Sequence, residues 1–239
     1  MAKTLLFYED PVMLDKVKHK NLKFKKLSDL KFATDINSVP VAGFEFFSCS
    51  RHFPVMFVKN ANDSFIPVAL LSLTAKGHNL GDQWEGYYIP SFIRRYPFVL
   101  ESGQGMVMMD QAAPQLQENE GEALFTPEGE PAKFLQEIMV FLDSCDKGYK
   151  VTEEYTKALQ DKGVLEPFKG TVKFTDTTLK LDHLYVVNEK KFHDSMKDNE
   201  IVEWFKNGWL AWTNAHLHSI SAMPEVVKRL PKKEAAKKA

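Results

Sequence analysis

The sequence predicts an α+β protein, with mixed or antiparallel sheet built from hairpins and helices packed on it. Three observations carry that prediction. Two β-type runs, residues 53–58 and 65–74, flank the polar turn KNANDS at 59–64, whose Asn and Asp side chains bond to their own backbone and tolerate left-handed dihedrals. Between Pro131 and Asp143, the apolar residues Phe134, Leu135, Ile138, Phe141 and Leu142 recur at helical spacing. Strands and helices are interspersed, but without the regular alternation of βαβ units.

Taken in order, residues 3–43 mix Lys with isolated Leu, Phe and Val. They read as an extended arm with one or two short strands, closing on Asn37-Ser38-Val39-Pro40. Phe44 and Phe47 fall three apart in 44–51, which predicts a two-turn helix with both rings inward. Pro54 and Pro67 stand near the starts of the two central runs, which suits edge or entry positions. Residues 75–86 form a Gly- and Asn-bearing loop holding Asn79 and Trp84. Tyr87-Tyr88-Ile89-Pro90 follows, then a short segment with Arg94-Arg95 and a stop at Pro97. Runs 98–100 and 106–109 predict a second hairpin, with Gly103-Gln104-Gly105 in its turn. Residues 111–131 are polar and acidic, and read as a long mobile loop or lid.

After the helix of 131–143, a second helix is expected from Thr152, whose hydroxyl caps it while Glu153 and Glu154 favour its positive end. Gly163 offers its left-handed exit. Strands at 170–175 and 179–187 follow, joined by a turn at 176–178. Asn188 caps a helix to 196, and 200–206 is a helix with Ile201, Trp204 and Phe205 on one face. Residues 209–219 read as a strand, and a terminal helix lies near 225–230. The expected organisation is a β-rich region 1–130, an α+β region 131–230 that is either separate or continuous with it, and a charged tail 231–239.

At 239 residues, with 44% hydrophobic and 26% charged residues, the chain is long enough to bury a core without disulfide or metal staples. A net charge of −1 gives no drive toward nucleic acid or an acidic membrane. Local charge is uneven: residues 1–31 hold eight Lys against four acids, and 96–132 hold seven acids without a Lys or Arg. Both segments read as solvated faces. The N-terminus has no signal-peptide pattern, and no stretch reaches the roughly 18 apolar residues of a membrane span, so a cytoplasmic protein is expected. Cys49 and Cys145 are far apart, outside any CxxC, and read as free buried thiols. No phosphate loop, dinucleotide fingerprint, GxSxG elbow or HExxH occurs, which removes several large enzyme classes, and no cofactor is called for.

Two groups of residues have the types that carry chemistry. His216-Leu217-His218 would, on a strand, turn both imidazoles to one face, with His183, Asp182 or Glu225 as a third metal ligand. The competing reading makes one His a packing residue and leaves the other in water. Arg94-Arg95 lies beside Trp84, Tyr87, Tyr88 and Tyr96, and guanidinium groups among aromatics suit an anionic or planar ligand. Against this, one Arg pairs internally with an acid such as Glu45 or Asp82 while the other faces water. Asn79 most simply supplies a left-handed turn residue, and Trp84 a core plug.

These residues fall in a wider pattern. Phe32-Ala33, Asn37 with Pro40, Glu45-Phe46, Pro54 with Phe57, Asn79-Leu80, Trp84, Tyr88 with Pro90, RRYPF at 94–98, Leu165-Glu166-Pro167 and His216-Leu217 with Ser219 together resemble the bacterial SapC family, named for its association with surface-layer genes. RRYPF is the most specific of these. Thr34 stands where relatives often have Arg, and relatives need not have His at position 218. The resemblance brings no established reaction, cofactor or catalytic residue. It implies a cytoplasmic accessory protein, linked to surface-layer or envelope functions, that binds a protein or a small anionic or aromatic ligand. The ligand-binding candidates are Asn79, Trp84, Tyr88, Arg94, Arg95 and His216. The alternative is an enzyme of unknown reaction, metal-assisted through His216 and His218. Aromatic strands around 53–74 suit a homodimer as well as burial in one core.

Overall fold

A computed structural model describes residues 5–74, 77–101, 105–173, 178–181 and 183–229. The chain runs β1 (Pro11–Met13), β2 (Lys23–Phe24), β3 (Ser38–Pro40), α1 (Phe46–Ser50), β4 (Val55–Lys59), β5 (Phe65–Leu70), α2 (Ser91–Arg94), β6 (Phe98–Leu100), β7 (Val107–Asp110), β8 (Leu116–Gln117) and β9 (Glu122–Ala123). It continues with α3 (Lys133–Asp161), β10 (Leu165–Pro167), β11 (Thr171–Lys173), β12 (Thr178–Lys180), β13 (Tyr185–Val187), α4 (Glu189–Ser195), α5 (Asp198–Lys206), α6 (Trp209–Ser219) and α7 (Met223–Lys228). Open antiparallel sheets with packed helices make the fold α+β.

The largest sheet has the order β10-β13-β4-β5-β3, drawing strands from both sides of residue 130. Its centre is the expected hairpin, in register from Val55 opposite Ala69 to Lys59 opposite Phe65. The Asn60 side-chain oxygen accepts the N–H groups of Asn62 and Ser64, and Asp63 takes a φ of 61°, so the turn chemistry fixes the register. Contrary to expectation, Pro67 sits in an interior strand. Its carbonyl accepts from Val41, just past the end of the β3 ladder at Pro40, so the missing N–H falls at the end of that ladder. Pro11–Met13 joins the second hairpin as sheet β1-β7-β6.

Helix α3 runs unbroken through 29 residues where two helices are expected. Gly148 stands inside it against the Phe44 ring, which leaves no room for a Cβ. Thr152 caps nothing: its hydroxyl donates to the Gly148 carbonyl (2.6 Å) and accepts the Gly43 N–H (2.8 Å), fastening the turn Gly43–Glu45 to the helix. In that turn and α1, the buried residues are Gly43, Glu45, Phe46, Cys49 and Ser50, while Phe44 and Phe47 remain about half exposed, the reverse of the expected face. The acidic stretch 111–131 is not a bare loop either: β8 and β9 flank β2, and Leu124 and Phe125 are buried. Asn188 caps α4 through the Lys191 N–H, as expected, and Gly163 exits α3 at a φ of 64°. On α5 only Trp204 turns inward, and Ile201 and Phe205 are exposed.

The expected strand at 209–219 is helix α6, opened by Gly208 at a φ of 75°. Its inner face, Trp209, Thr213, His216 and Ser219, packs on the aromatic core of Phe46, Phe53, Phe57, Tyr155 and Trp204. The turn at 176–178, Asp182, part of the turn at 103–105 and the charged tail lie in whole or part outside the described residues. Among the described residues, no helix is long and apolar enough to cross a membrane.

Candidate functional site around Glu45 and Arg94

The tight turn before α1 carries Glu45 fully into the protein. A carboxylate there requires donors, because burial strips it of water. Four are present: Tyr88 Oη (2.8 Å), the Ser91 N–H (2.6 Å), Ser91 Oγ (2.7 Å) and the Ala42 N–H (3.2 Å). The two from Ser91 lie at the start of α2, immediately after Pro90, which supplies the extended entry. One turn on, Arg94 Nη2 reaches to 3.9 Å from Glu45 Oε1 and donates to Tyr88 Oη at 3.4 Å. The guanidinium lies between the rings of Tyr88 and Phe141, at 5.8 and 5.4 Å from their centroids. Its side chain is 44% exposed while its counter-charge is wholly buried, so a fixed guanidinium faces water from an acidic seat.

Helix α3 closes the back of this site. Tyr149 Oη approaches Ser91 Oγ at 3.4 Å, and Cys145 neighbours the same hydroxyl. Burial raises the Tyr88 phenol above its ordinary range, and the adjoining Glu45 raises it further. Burial likewise raises Tyr149 and the thiols of Cys49 and Cys145. These groups are therefore neutral hydrogen-bonding walls near neutral pH, and Arg94 is the charged group of this cluster that reaches the surface.

The remaining candidates take other places. Arg95 turns into the protein and stacks on Phe92 at 4.1 Å. It lies beside Tyr8, whose phenol is pushed up to about 12 by burial, with the guanidinium opposing that shift. Tyr96 donates to the buried Asp110, which also accepts the Glu9 and Asp10 N–H groups, so the rest of RRYPF ties down the N-terminal arm. Trp84 is buried between Phe53 and His78 at a φ of 50°, an uncommon backbone region for a bulky residue. Asn79 is exposed and donates to the Arg229 carbonyl, fixing the chain after α7. Structure thus joins Tyr88 to Arg94, and gives Asn79, Trp84 and Arg95 different partners.

His216 also stands apart, and the helix removes the basis for a paired metal site. Two residues apart on a helix point to different sides, and His216 is buried while His218 is exposed. Nδ1 of His216 donates to the Val55 carbonyl (2.7 Å), and Nε2 accepts the Val187 N–H (3.0 Å). The register of Tyr185 opposite Phe57 makes Val55 and Val187 cross-strand partners, so the imidazole is wedged into the ladder between β4 and β13. Ser219 Oγ accepts the Val55 N–H at 2.8 Å, completing the same residue's bonding. Among the described residues, no three side chains of metal-binding type converge.

Glu45, which the sequence offered as a partner for an Arg and as part of Glu45-Phe46 but not as a site residue, is the hub of this cluster. An acid set among Phe44, Phe46 and Phe47 was the available signal, since an acid within an apolar run is either solvated or specifically bonded.

A family model described as SapC matches residues 14–226 of the 239. The chain belongs to the SapC family. No curated protein and no solved structure matches it. In this SapC chain the family-like segments divide by role: Glu45-Phe46, Tyr88 with Pro90 and Arg94 build the site, while His216 and Ser219 hold β4.

Proposed function

We propose that this SapC chain is a cytoplasmic accessory protein, linked to surface-layer or envelope functions, that binds an anionic group of a ligand or partner at Arg94. The observation that supports this reading is the half-exposed guanidinium, seated on a fully buried carboxylate and framed by two aromatic rings. Arginine presents five N–H donors in a rigid fork. Among the described residues, Arg94 gives one of them a hydrogen-bond acceptor, Tyr88. The free edge suits a carboxylate or phosphate, and the flanking rings suit an apolar or planar body behind the charge.

Native mass spectrometry of protein purified gently from its own source tests this. Wild type is expected to carry a bound mass, either a small anion or a protein partner, and Arg94→Ala to lose it. Full retention by the variant, or a bare wild-type chain, overturns the site. Cell fractionation tests the compartment, and recovery in the envelope alone overturns the cytoplasmic placement.

A further inference from the structure

Beside Arg94 the fold leaves two large rings in water. Phe44 is 49% exposed and Phe47 is 55% exposed. Standing three apart in a helical stretch, they share a side. Phe44 leans on Gly148 of α3, and Phe141, whose ring supports Arg94, lies seven residues earlier on that helix. Seven residues are about two turns, or roughly 11 Å. Cys145, between those two points, and Tyr149, just past the second, lie in the same stripe of α3 and meet Ser91. Arg94 and Phe44 therefore line one flank of α3 near the buried Glu45, with Phe47 exposed on the same side of its own helical stretch as Phe44.

The charges around this flank fit an acidic occupant. Glu45 is sealed below it. The α3 acids nearest in sequence, Asp143 and Asp146, are paired with Lys147 and Lys150 at 2.7 and 2.8 Å. The counter-charge of Arg94, by contrast, is not at the surface. A membrane surface would call for several unpaired cations together, whereas these lysines are matched by acids on their own helix. Aromatic side chains and Arg are the residues enriched at the centres of protein interfaces. Singly exposed apolar residues are ordinary, but a ring pair beside a fixed guanidinium is a combined anchor.

We propose that this flank is a docking surface for an acidic, apolar segment of a partner protein, with its carboxylate on Arg94 and its apolar side chains across Phe44 and Phe47. The span of roughly 11 Å corresponds to about three residues of extended chain or two helical turns. The proposal rests on the anion reading of Arg94 and narrows its ligand to a peptide segment that is both charged and apolar.

The test is selection from a display library of random peptides against the full chain, followed by titration of a labelled selected peptide. Enrichment of sequences with Asp or Glu near large apolar residues is expected. The double variant Phe44→Ala/Phe47→Ala and the single variant Arg94→Ala should each bind about tenfold more weakly or worse. Changing the peptide's acid to its amide should weaken binding to wild type but not to Arg94→Ala. An unchanged urea midpoint shows that these surface variants remain folded. Failure to enrich such peptides, or equal binding by the double variant, overturns the docking surface. If Arg94→Ala alone removes a small anion from the native spectrum, the anion site survives without the docking surface. If Arg94→Ala changes neither binding event, both fall.

Discussion

Replacing His216 with Leu removes the imidazole wedged between β4 and β13 and tests its role through pH. The ring is fully buried, and burial lowers its pKa from 6.5 to about 4, against a smaller raising effect from the Val55 carbonyl. At neutral pH it is uncharged, with the proton on Nδ1 donating to Val55 and Nε2 free to accept from Val187. Between pH 6.5 and 4 the unfolded chain binds a proton at this residue that the folded chain does not. Stability from this group is therefore fully present above pH 6.5 and is lost as pH falls toward 4. A shift from 6.5 to about 4, at about 1.4 kcal/mol per pH unit, gives a loss of about 3 kcal/mol. At pH 7.5, His216→Leu leaves the Val55 carbonyl and the Val187 N–H unpartnered in the interior, which also costs about 3 kcal/mol. Urea unfolding followed by tryptophan fluorescence, at pH 7.5, 5.5 and 4 on both chains, measures the gap between them. Other titrating groups are shared and cancel in that difference. The gap should be about 3 kcal/mol at pH 7.5 and close almost completely by pH 4. A gap that stays constant across this range would refute the assignment of a buried neutral imidazole.

Three further outcomes follow from contacts already described. Glu45→Gln should destabilise the protein by about 2 kcal/mol in urea unfolding, because an amide N–H₂ would face donors that now meet an acceptor; a change under about 0.5 kcal/mol would show that the network is replaceable. Gly43→Ala should cost about 1–3 kcal/mol, since its Cβ would overlap the Trp212 ring, and a neutral result would mean that α6 yields there. Cys49 and Cys145 are buried, with thiol pKa values raised chiefly by that burial. Neither should react with a disulfide reagent in the native state, both should react after unfolding, and rapid native labelling would contradict their placement.

The parts of the fold written in local chemistry were readable in advance. The Asn60 turn, the Asn188 cap and the Gly163 exit each rest on a side chain acting on its own neighbours, so sequence spacing suffices. The errors arise where tertiary packing overrides that local chemistry. Thr152 looks like a helix start until Gly43 and Phe44 are brought against this part of α3 from more than a hundred residues away. Residues 209–219 lack a clean helical stripe because Leu210, Trp212 and Leu217, off the inner face, are also partly buried. An all-round apolar helix carries little periodic signal. Phe44 and Phe47 look like core because they are apolar, and Glu45 looks like no more than an internal partner for one Arg. Their inversion is legible only once Tyr88 and Ser91 supply the donors. For the candidate site, Tyr88 and both Arg94 and Arg95 stand close together in the sequence, which carries no measure of which Arg turns outward.

The order of the main sheet also bears on how the chain is made. Strand β4 pairs at once with β5 on one side, but its other side meets β13, where Phe57 faces Tyr185. Those partners are 128 positions apart in the chain. At the usual pace of synthesis, on the order of 5–20 residues per second, the first strand waits roughly 6–25 seconds on the ribosome for the second. Throughout that interval Met56 and Phe57 lie on a strand with an open edge, the kind of surface that recruits foreign strands. Slowing translation between residues 60 and 185 should therefore lower the soluble yield of this protein, and co-expression of a holding chaperone should restore it.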